Sequence, residues 1–268
     1  MKSAEEVPPL CPDRPVRAGE RFEHLLPGTV EPDVAANVSV IFEDDQFVVI
    51  NKPAPLPLHA SGRFNRNTVQ YILNELYRPE HPLIVHRLDA NTSGVLVLCR
   101  RRAVARIVQP QFEARTVVKT YLARIHGSPL DETFRCDAKI ASSPGENGLR
   151  LIDATSGLEA RTGFRVLRRF ADDTTLVEVR PLTGRTNQIR IHLWHCGYPI
   201  VGDPAYLTDS QTGSNRTLAP DEPPMCLHAA SIELHDQNGE LRSFDASAPQ
   251  WAQENGFTYP GSGAPTPQ

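Results

Sequence analysis

The chain has 268 residues, 40% hydrophobic and 22% charged, with a net charge of -4; it can bury a sizeable core as one large domain or a domain with extensions. No stretch approaches the roughly 20 apolar residues of a membrane span, and residues 1–6 lack the apolar segment of a signal peptide, so a cytoplasmic protein without membrane contact is expected. The five cysteines (Cys11, Cys99, Cys136, Cys196, Cys226) form no C-x-x-C, which argues against a zinc ribbon or a disulfide framework.

Residues 1–36 are rich in proline and acids, show no sustained period, and read as a loosely ordered arm. Residues 38–42 and 47–50 are short β-type runs joined by Glu43-Asp44-Asp45-Gln46, a hairpin. The segment 52–59 holds Pro53, Pro55 and Pro57 and cannot be regular structure. Thr68 caps a helical pattern in which Val69, Ile72, Leu73 and Leu76 share a face. Next comes the string His86-Arg87-Leu88-Asp89-Ala90-Asn91-Thr92-Ser93-Gly94, a small-residue turn that leads into a buried strand, Val95-Leu96-Val97-Leu98. Residues 103–112 read as a helix with Val104, Ile107 and Val108 inward and Pro110 in its last turn. Residues 119–125 alternate as a strand. The stretch 135–159, with turn residues at 144–148, reads as a hairpin or a surface excursion. Residues 160–167 and 175–180 alternate as antiparallel strands, and 187–194 form a short helix opened by Thr183-Gly184-Arg185-Thr186. A late strand at 227–234 and a disordered tail at 256–268 complete the chain. Strands with interspersed helices and no regular βαβ alternation predict an α+β fold with a mixed or antiparallel sheet.

The net charge hides an uneven distribution. The first 45 residues are acid-rich, whereas from 86 to 124 Arg87, Arg100, Arg101, Arg102, Arg106, Arg115, Lys119 and Arg124 face only Asp89 and Glu113. A second basic run holds Arg161, Arg165, Arg168, Arg169, Arg180, Arg185 and Arg190. Phosphate binding follows local potential rather than net charge, so two such runs are expected to meet nucleic acid; either alone would read as a solvated face.

Asp89 stands beside Arg87 at the mouth of a buried strand. A carboxylate there is costly unless paired, and such a charge is commonly kept for chemistry; an isolated Asp would more readily close an Asx turn. The string 86–94 resembles the signature of the RluA-type pseudouridine synthases, which convert uridine in RNA to pseudouridine. Lys119-Thr120-Tyr121-Leu122-Ala123 is similar to that family's Lys-x-Tyr-x-Ala strand, and residues 182–192 followed by 197–203 are similar to its third segment. Asn51-Lys52-Pro53 and Cys226-Leu227-His228-Ala229-Ala230 match as well. These segments stand in the family's order and span most of residues 38–235.

The resemblance implies a pseudouridine synthase fold over 37–255, with a large mixed, mostly antiparallel sheet flanked by helices and loops. It implies Asp89 as the catalytic carboxylate and Arg190 as the partner that favours its ionised form. Tyr121 is then the tyrosine that lies against the base and assists the final proton removal. Ile189 supplies an apolar wall, Arg87 enters the RNA as the base flips out, and His86, Arg185 and Gln188 complete the substrate-binding set. Uridine is isomerised without redox change or phosphate transfer, so neither cofactor nor metal is expected. A metal site at His192, His195 and Cys196 also lacks a fourth partner at a recognisable spacing.

The expected partner is structured RNA, tRNA or rRNA, met by a monomer. Asn187 stands where the family commonly has His and is expected to support the site by hydrogen bonding. The arm is too short for the complete small RNA-binding domain of many relatives; residues 16–20 are a candidate remnant of one. Residues 59–68 resemble a subgroup with tRNA-modifying members and proteins carrying a deaminase, but no H-x-E with P-C-x-x-C is present. Two other classes compete. One is a catalytically silent RNA-binding protein or RNA-folding chaperone, disfavoured because Asp89, Tyr121 and Arg190 all stand. The other is a metal-dependent hydrolase using His192 and His195.

Overall fold

The computed structural model describes Pro15, Arg17 and residues 30–145 and 148–253. Most of the N-terminal arm, part of the 144–148 turn and the 256–268 tail lie outside the described residues. The first half holds β1 (Ser39–Glu43), β2 (Phe47–Lys52), α1 (Val69–Leu76), β3 (Leu83–Ile84), β4 (Ser93–Cys99), α2 (Arg102–Glu113) and β5 (Val118–His126). The second holds β6 (Thr133–Cys136), β7 (Thr162–Arg169), β8 (Thr174–Pro181), α3 (Gln188–His195), β9 (Leu227–His235) and β10 (Leu241–Asp245).

Local chemistry starts each element. The Asp44 carboxylate accepts from the amides of Gln46 and Phe47 at 2.8 and 2.7 Å, turning β1 back onto β2. The Thr68 hydroxyl accepts from Tyr71 N at 3.2 Å and opens α1, as its position predicts. Asn187 opens α3 in the left-handed region (φ 56°), a conformation that Asn tolerates better than most residues.

All strands among the described residues join one sheet in the order β1-β2-β4-β9-β5-β8-β7-β6, with β3 on β4 and β10 on β9. Every pairing is antiparallel except β4 with β9, so the sheet is mixed and mostly antiparallel. Strands β2 and β4 are apolar on both faces because both are covered. Val48, Ile50, Leu96 and Leu98 pack on Val69 and Leu73 of α1. Their neighbours Phe47, Val49, Val95 and Val97 pack with Val104 and Val108 of α2 and with Phe244 of β10. In the other half, Ala123, Ile125, Phe164, Val177 and Val179 form a core with Ile189 and Leu193 of α3.

Some expectations change. Ile107 is 44% exposed, because α2 buries the narrow stripe Val104, Ala105 and Val108 instead. Leu76 ends α1 and is 66% exposed, so the buried face of that helix is Val69 and Leu73. The excursion 135–159 begins as strand β6, paired with β7, and is then tethered through Ile140 to Ile152 and Leu158. Strands β3 and β10 were not anticipated: one has two residues, and the other buries only Phe244 and so shows no clear alternation. Residues 31–36, read as part of the arm, are tied to the body; Ala35 N donates to Pro55 O at 2.9 Å.

The β4–β9 contact is short and tight. Only Ser93↔His228 and Gly94↔Ala229 are in register, and Gly94 sits at φ +112°. A Cβ at Gly94 would lie 2.1 Å from the Ala229 carbonyl oxygen and 2.6 Å from its nitrogen, both backbone atoms that cannot swing away. Gly94→Ala is therefore expected to destabilise the protein by more than about 3 kcal/mol, combining strain at positive φ with a backbone clash. Chemical denaturation checks this; a loss under about 1 kcal/mol would contradict the close approach.

Candidate active site

The turn 86–92 ahead of β4, the start of β5, the turn 181–187 and the first turn of α3 converge on one cavity of about 230 Å³. All eight residues that the sequence nominates line it: Asp89, Tyr121, Arg190, Arg87, Ile189, Arg185, His86 and Gln188. Phe112, Lys119, Thr183 and Leu227 complete its walls. The space suits a single planar ring rather than a duplex.

Asp89 is half-buried, with 24% of its side chain exposed, and its Oδ2 lies 3.8 Å from Nη1 of Arg190. That is ion-pair range without a hydrogen bond. The strong partner of Arg190 is Asp203, wholly buried, which accepts from Nε and Nη2 at 2.7 Å each. Asn187 and Asn215 accept from Nη1 at 3.2 and 3.3 Å, and the guanidinium lies 5.2 Å from the Tyr206 ring centroid. Burial works against the Arg190 charge, but Asp203, with help from Asp89, outweighs it and holds the pKa above the ordinary value. The ring of donors and acceptors fixes the guanidinium beside Asp89 in advance.

A second cation lies beneath the same turn. Lys52 is fully buried and donates to the carbonyls of Pro53, Leu56 and Ala90 at 2.9, 2.9 and 3.1 Å. Burial pushes its pKa down to about 7, while the nearby Asp89 charge opposes that shift. Its sequence match to Asn-Lys-Pro carried no role; the structure gives it one, bracing the backbone next to Asp89.

Other signature residues also brace. Asn91 donates to Arg216 O and accepts from Leu218 N, both at 2.9 Å, tying the turn to the 215–218 loop. His86 accepts from Val97 N through Nε2 at 2.9 Å, so its proton sits on Nδ1, and its ring stacks on Phe112 at 4.9 Å. Gln188 lines the cavity, yet its amide donates to Arg161 O and Thr162 Oγ1 and accepts from Thr183 Oγ1 and Arg185 N. It holds the turn shape. Burial and the Asp89 charge raise the Tyr121 pKa, so this phenol stays protonated at neutral pH. His192 has both ring nitrogens engaged, by Thr162 Oγ1 and by Ala138 O, each at 2.9 Å.

The basic runs divide by partner. Arg100 pairs with Glu43 and Glu80, Arg101 with Asp45, Arg124 with Asp172, and Arg169 with Glu132. Acids distant in sequence therefore neutralise much of what looked like an uncompensated stripe. Arg87 is exposed at the cavity rim, and among the described residues the Arg185 side chain donates only to the Glu159 carbonyl, at 3.0 Å.

A larger cavity, about 600 Å³, opens on the other side of Arg87, Asp89 and Arg190, edged by His59, Arg63, Phe64 and Asn215. Its loop is held by Glu31, whose carboxylate accepts from the amides of Asn65, Arg66 and Asn67 at 2.6, 3.1 and 2.6 Å. Sequence reasoning missed this clamp, because nothing marks an isolated Glu as the partner of amides 34 residues away.

A family model described as RNA pseudouridylate synthase matches residues 46–195. The chain belongs to the RNA pseudouridylate synthase family. It is 31% identical to "Ribosomal large subunit pseudouridine synthase C" of Haemophilus influenzae over 243 residues, covering 87% of this chain and 72% of the relative. The Escherichia coli K12 protein of the same name is also 31% identical, over 244 residues, 87% of this chain and 73% of that one. Among solved structures, human RNA Pseudouridylate Synthase Domain Containing 1 superposes with a TM-score of 0.65 at 26% identity, over 82% of this chain and 87% of the other. Human RNA Pseudouridylate Synthase Domain Containing 4 gives 0.64 at 28%, over 80% and 89%. This pseudouridine synthase is thus an isomerase acting on RNA, built on the α+β fold that its sequence indicates.

Two imidazoles of the synthase, His228 buried and His86 half-buried, give its stability a pH signature. Burial, reinforced by Lys119, lowers His86 to about 3, and burial lowers His228, bonded to Ser93 at 2.8 Å, to about 4. Both rings are neutral in the folded protein at neutral pH and gain protons on unfolding below an unfolded pKa of about 6.5. Their contribution is complete above that pH and is lost as pH falls toward 4. Denaturation across this range should show uptake of up to about two protons on unfolding, and His228→Gln should remove about one. Stability independent of pH over that window would contradict the neutral rings.

Proposed function

We propose that this synthase isomerises specific uridines in structured ribosomal RNA, with Asp89 as its catalytic carboxylate. The observation that carries the role is that Asp89 is the one carboxylate among the described residues lining the cavity, partly open to it and flanked by a fixed guanidinium. Both curated relatives are named for the ribosomal large subunit, which favours rRNA over tRNA. In this reading the enzyme works as a monomer in the cytoplasm; no helix among the described residues is long and apolar enough to cross a membrane.

The reaction moves the ribose bond of uracil from nitrogen to carbon 5. Asp89 supplies the negative charge on which departure of the base depends, facing the electron-poor sugar carbon. Arg190 keeps that carboxylate ionised and, held by Asp203, does not have to reorganise as charge develops. Tyr121, Ile189 and Leu227 wall in the base while it turns. Tyr121 enters as a phenol, and its oxygen can take the carbon 5 proton only after its own proton has passed to another acceptor. Unstacking the target costs about a few kcal/mol, and Arg87, exposed where the two cavities meet, fills the vacated place in the RNA.

Asp89→Asn is expected to lower pseudouridine formation more than about a thousandfold while leaving folding and RNA affinity largely intact; a fully active variant would sink the mechanism. Arg87→Ala should turn over more slowly and improve on a substrate whose uridine is already unstacked. Equal loss on both substrates would argue against flipping. Mapping pseudouridines in total RNA with and without the protein tests the target, and a site found only in tRNA would overturn the rRNA assignment.

A further inference from the structure

Besides Lys52 beneath the turn, four cations line the cavity that holds Asp89, and three are accounted for. Arg190 is held by Asp203, Arg185 donates to the Glu159 carbonyl, and Arg87 stands in solvent at the rim. Lys119 is different. It is half-buried on β5, and among the described residues no carboxylate, carbonyl or hydroxyl accepts from it. Its neighbours give no compensation: His86 is neutral and Phe112 and Pro181 are apolar, while a Cβ at Gly184 would sit 3.6 Å from Nζ. Burial lowers its pKa, and no nearby acid raises it again. A partly desolvated ammonium without a counter-charge is costly unless a ligand brings one.

Position identifies the ligand chemistry. Lys119 and Tyr121 are two apart on β5 and both line the cavity, so their side chains share a face about 6.6 Å apart along the strand. If the uracil lies against Tyr121, Lys119 is one step beyond the ring, where the nucleotide's backbone must pass. Lys119 also lines a third cavity, with Arg115, Val118, Arg180 and Leu182, so it stands at the passage between the two. Arg180 is paired with Glu178 at 3.0 Å, whereas no described acid pairs with Arg115. A strand leaving the catalytic cavity would meet Lys119 first and Arg115 next. A neutral uracil carbonyl needs no full charge; a phosphate does.

We infer that Lys119 is a phosphate ligand, binding the backbone phosphate next to the flipped uridine and directing the strand toward Arg115. The inference rests on the uridine-flipping reading above, and its test is arranged so that the two can fail separately. The probe is a labelled RNA hairpin with a single looped-out uridine, made with ordinary phosphates or with a neutral methylphosphonate on either side of that uridine. Wild-type protein should bind one of the two methylphosphonate hairpins about tenfold more weakly than the ordinary one, equivalent to roughly 1.4 kcal/mol. Lys119→Gln should bind all three equally, with a salt dependence smaller by roughly 0.7 in the log–log slope, the loss of one phosphate contact. Lys119→Arg should restore both discrimination and slope, and unchanged melting of the variants excludes a folding defect. A wild type indifferent to both methylphosphonates, or a Lys119→Gln variant that still discriminates, overturns the inference. Discrimination by a protein that forms no pseudouridine in any RNA would uphold the phosphate site and sink the proposed function instead.

Discussion

The two halves of this sheet meet through two residue pairs, and the site depends on how close that meeting is. At Gly94 the backbone of β4 lies against that of β9 with no space for a Cβ. Asp89 hangs from the turn just ahead of β4, whereas Tyr121 is on β5, which β9 joins on its other side. Any lengthening of the β4–β9 contact would therefore carry the carboxylate away from Tyr121 and from α3. The glycine that ends the signature string is there for distance, and the small residues before it let the chain make the approach.

On that frame the charges form a hierarchy. The Arg190–Asp203 pair is buried, bidentate and surrounded by further hydrogen-bond partners, the conditions under which a buried ion pair is tolerable. Asp89, at 3.8 Å, is the looser partner. Arg190 is thus anchored by one acid and offered to another. Asp203 is wholly buried, whereas Asp89 is partly open to the cavity. Lys52 repeats the arrangement from below, held by carbonyls while its field reaches Asp89.

Much of this was legible in the residues. Strands β2, β4, β5, β7, β8 and β9 follow from apolar runs and alternation, and α1 from its Thr68 cap, because burial on a pleated sheet leaves a local record. The short motifs gave the eight cavity residues. Less visible was anything set by a distant partner: Asp203 as the main anchor of Arg190, Glu43 and Asp45 as the neutralisers of Arg100 and Arg101, and the amide of Gln188 turned to bracing. Charge runs read along the chain assume that neighbours in sequence are neighbours in space, and here the acids arrive from elsewhere. Edge strand β10 left no pattern because only Phe244 is buried.

The Glu31 clamp separates two kinds of inheritance within one enzyme. The cavity around Asp89 is built almost wholly from the stretch shared with the family, residues 46–195, but the loop edging the neighbouring cavity takes its shape from a carboxylate upstream of that stretch. Three backbone amides answer to this side chain, so the loop's path is held largely through its backbone. Changes in the leading segment can then reshape the groove without touching the residues around Asp89. The shape of the cavity beside Asp89 is thus set in part from outside the stretch shared with the family.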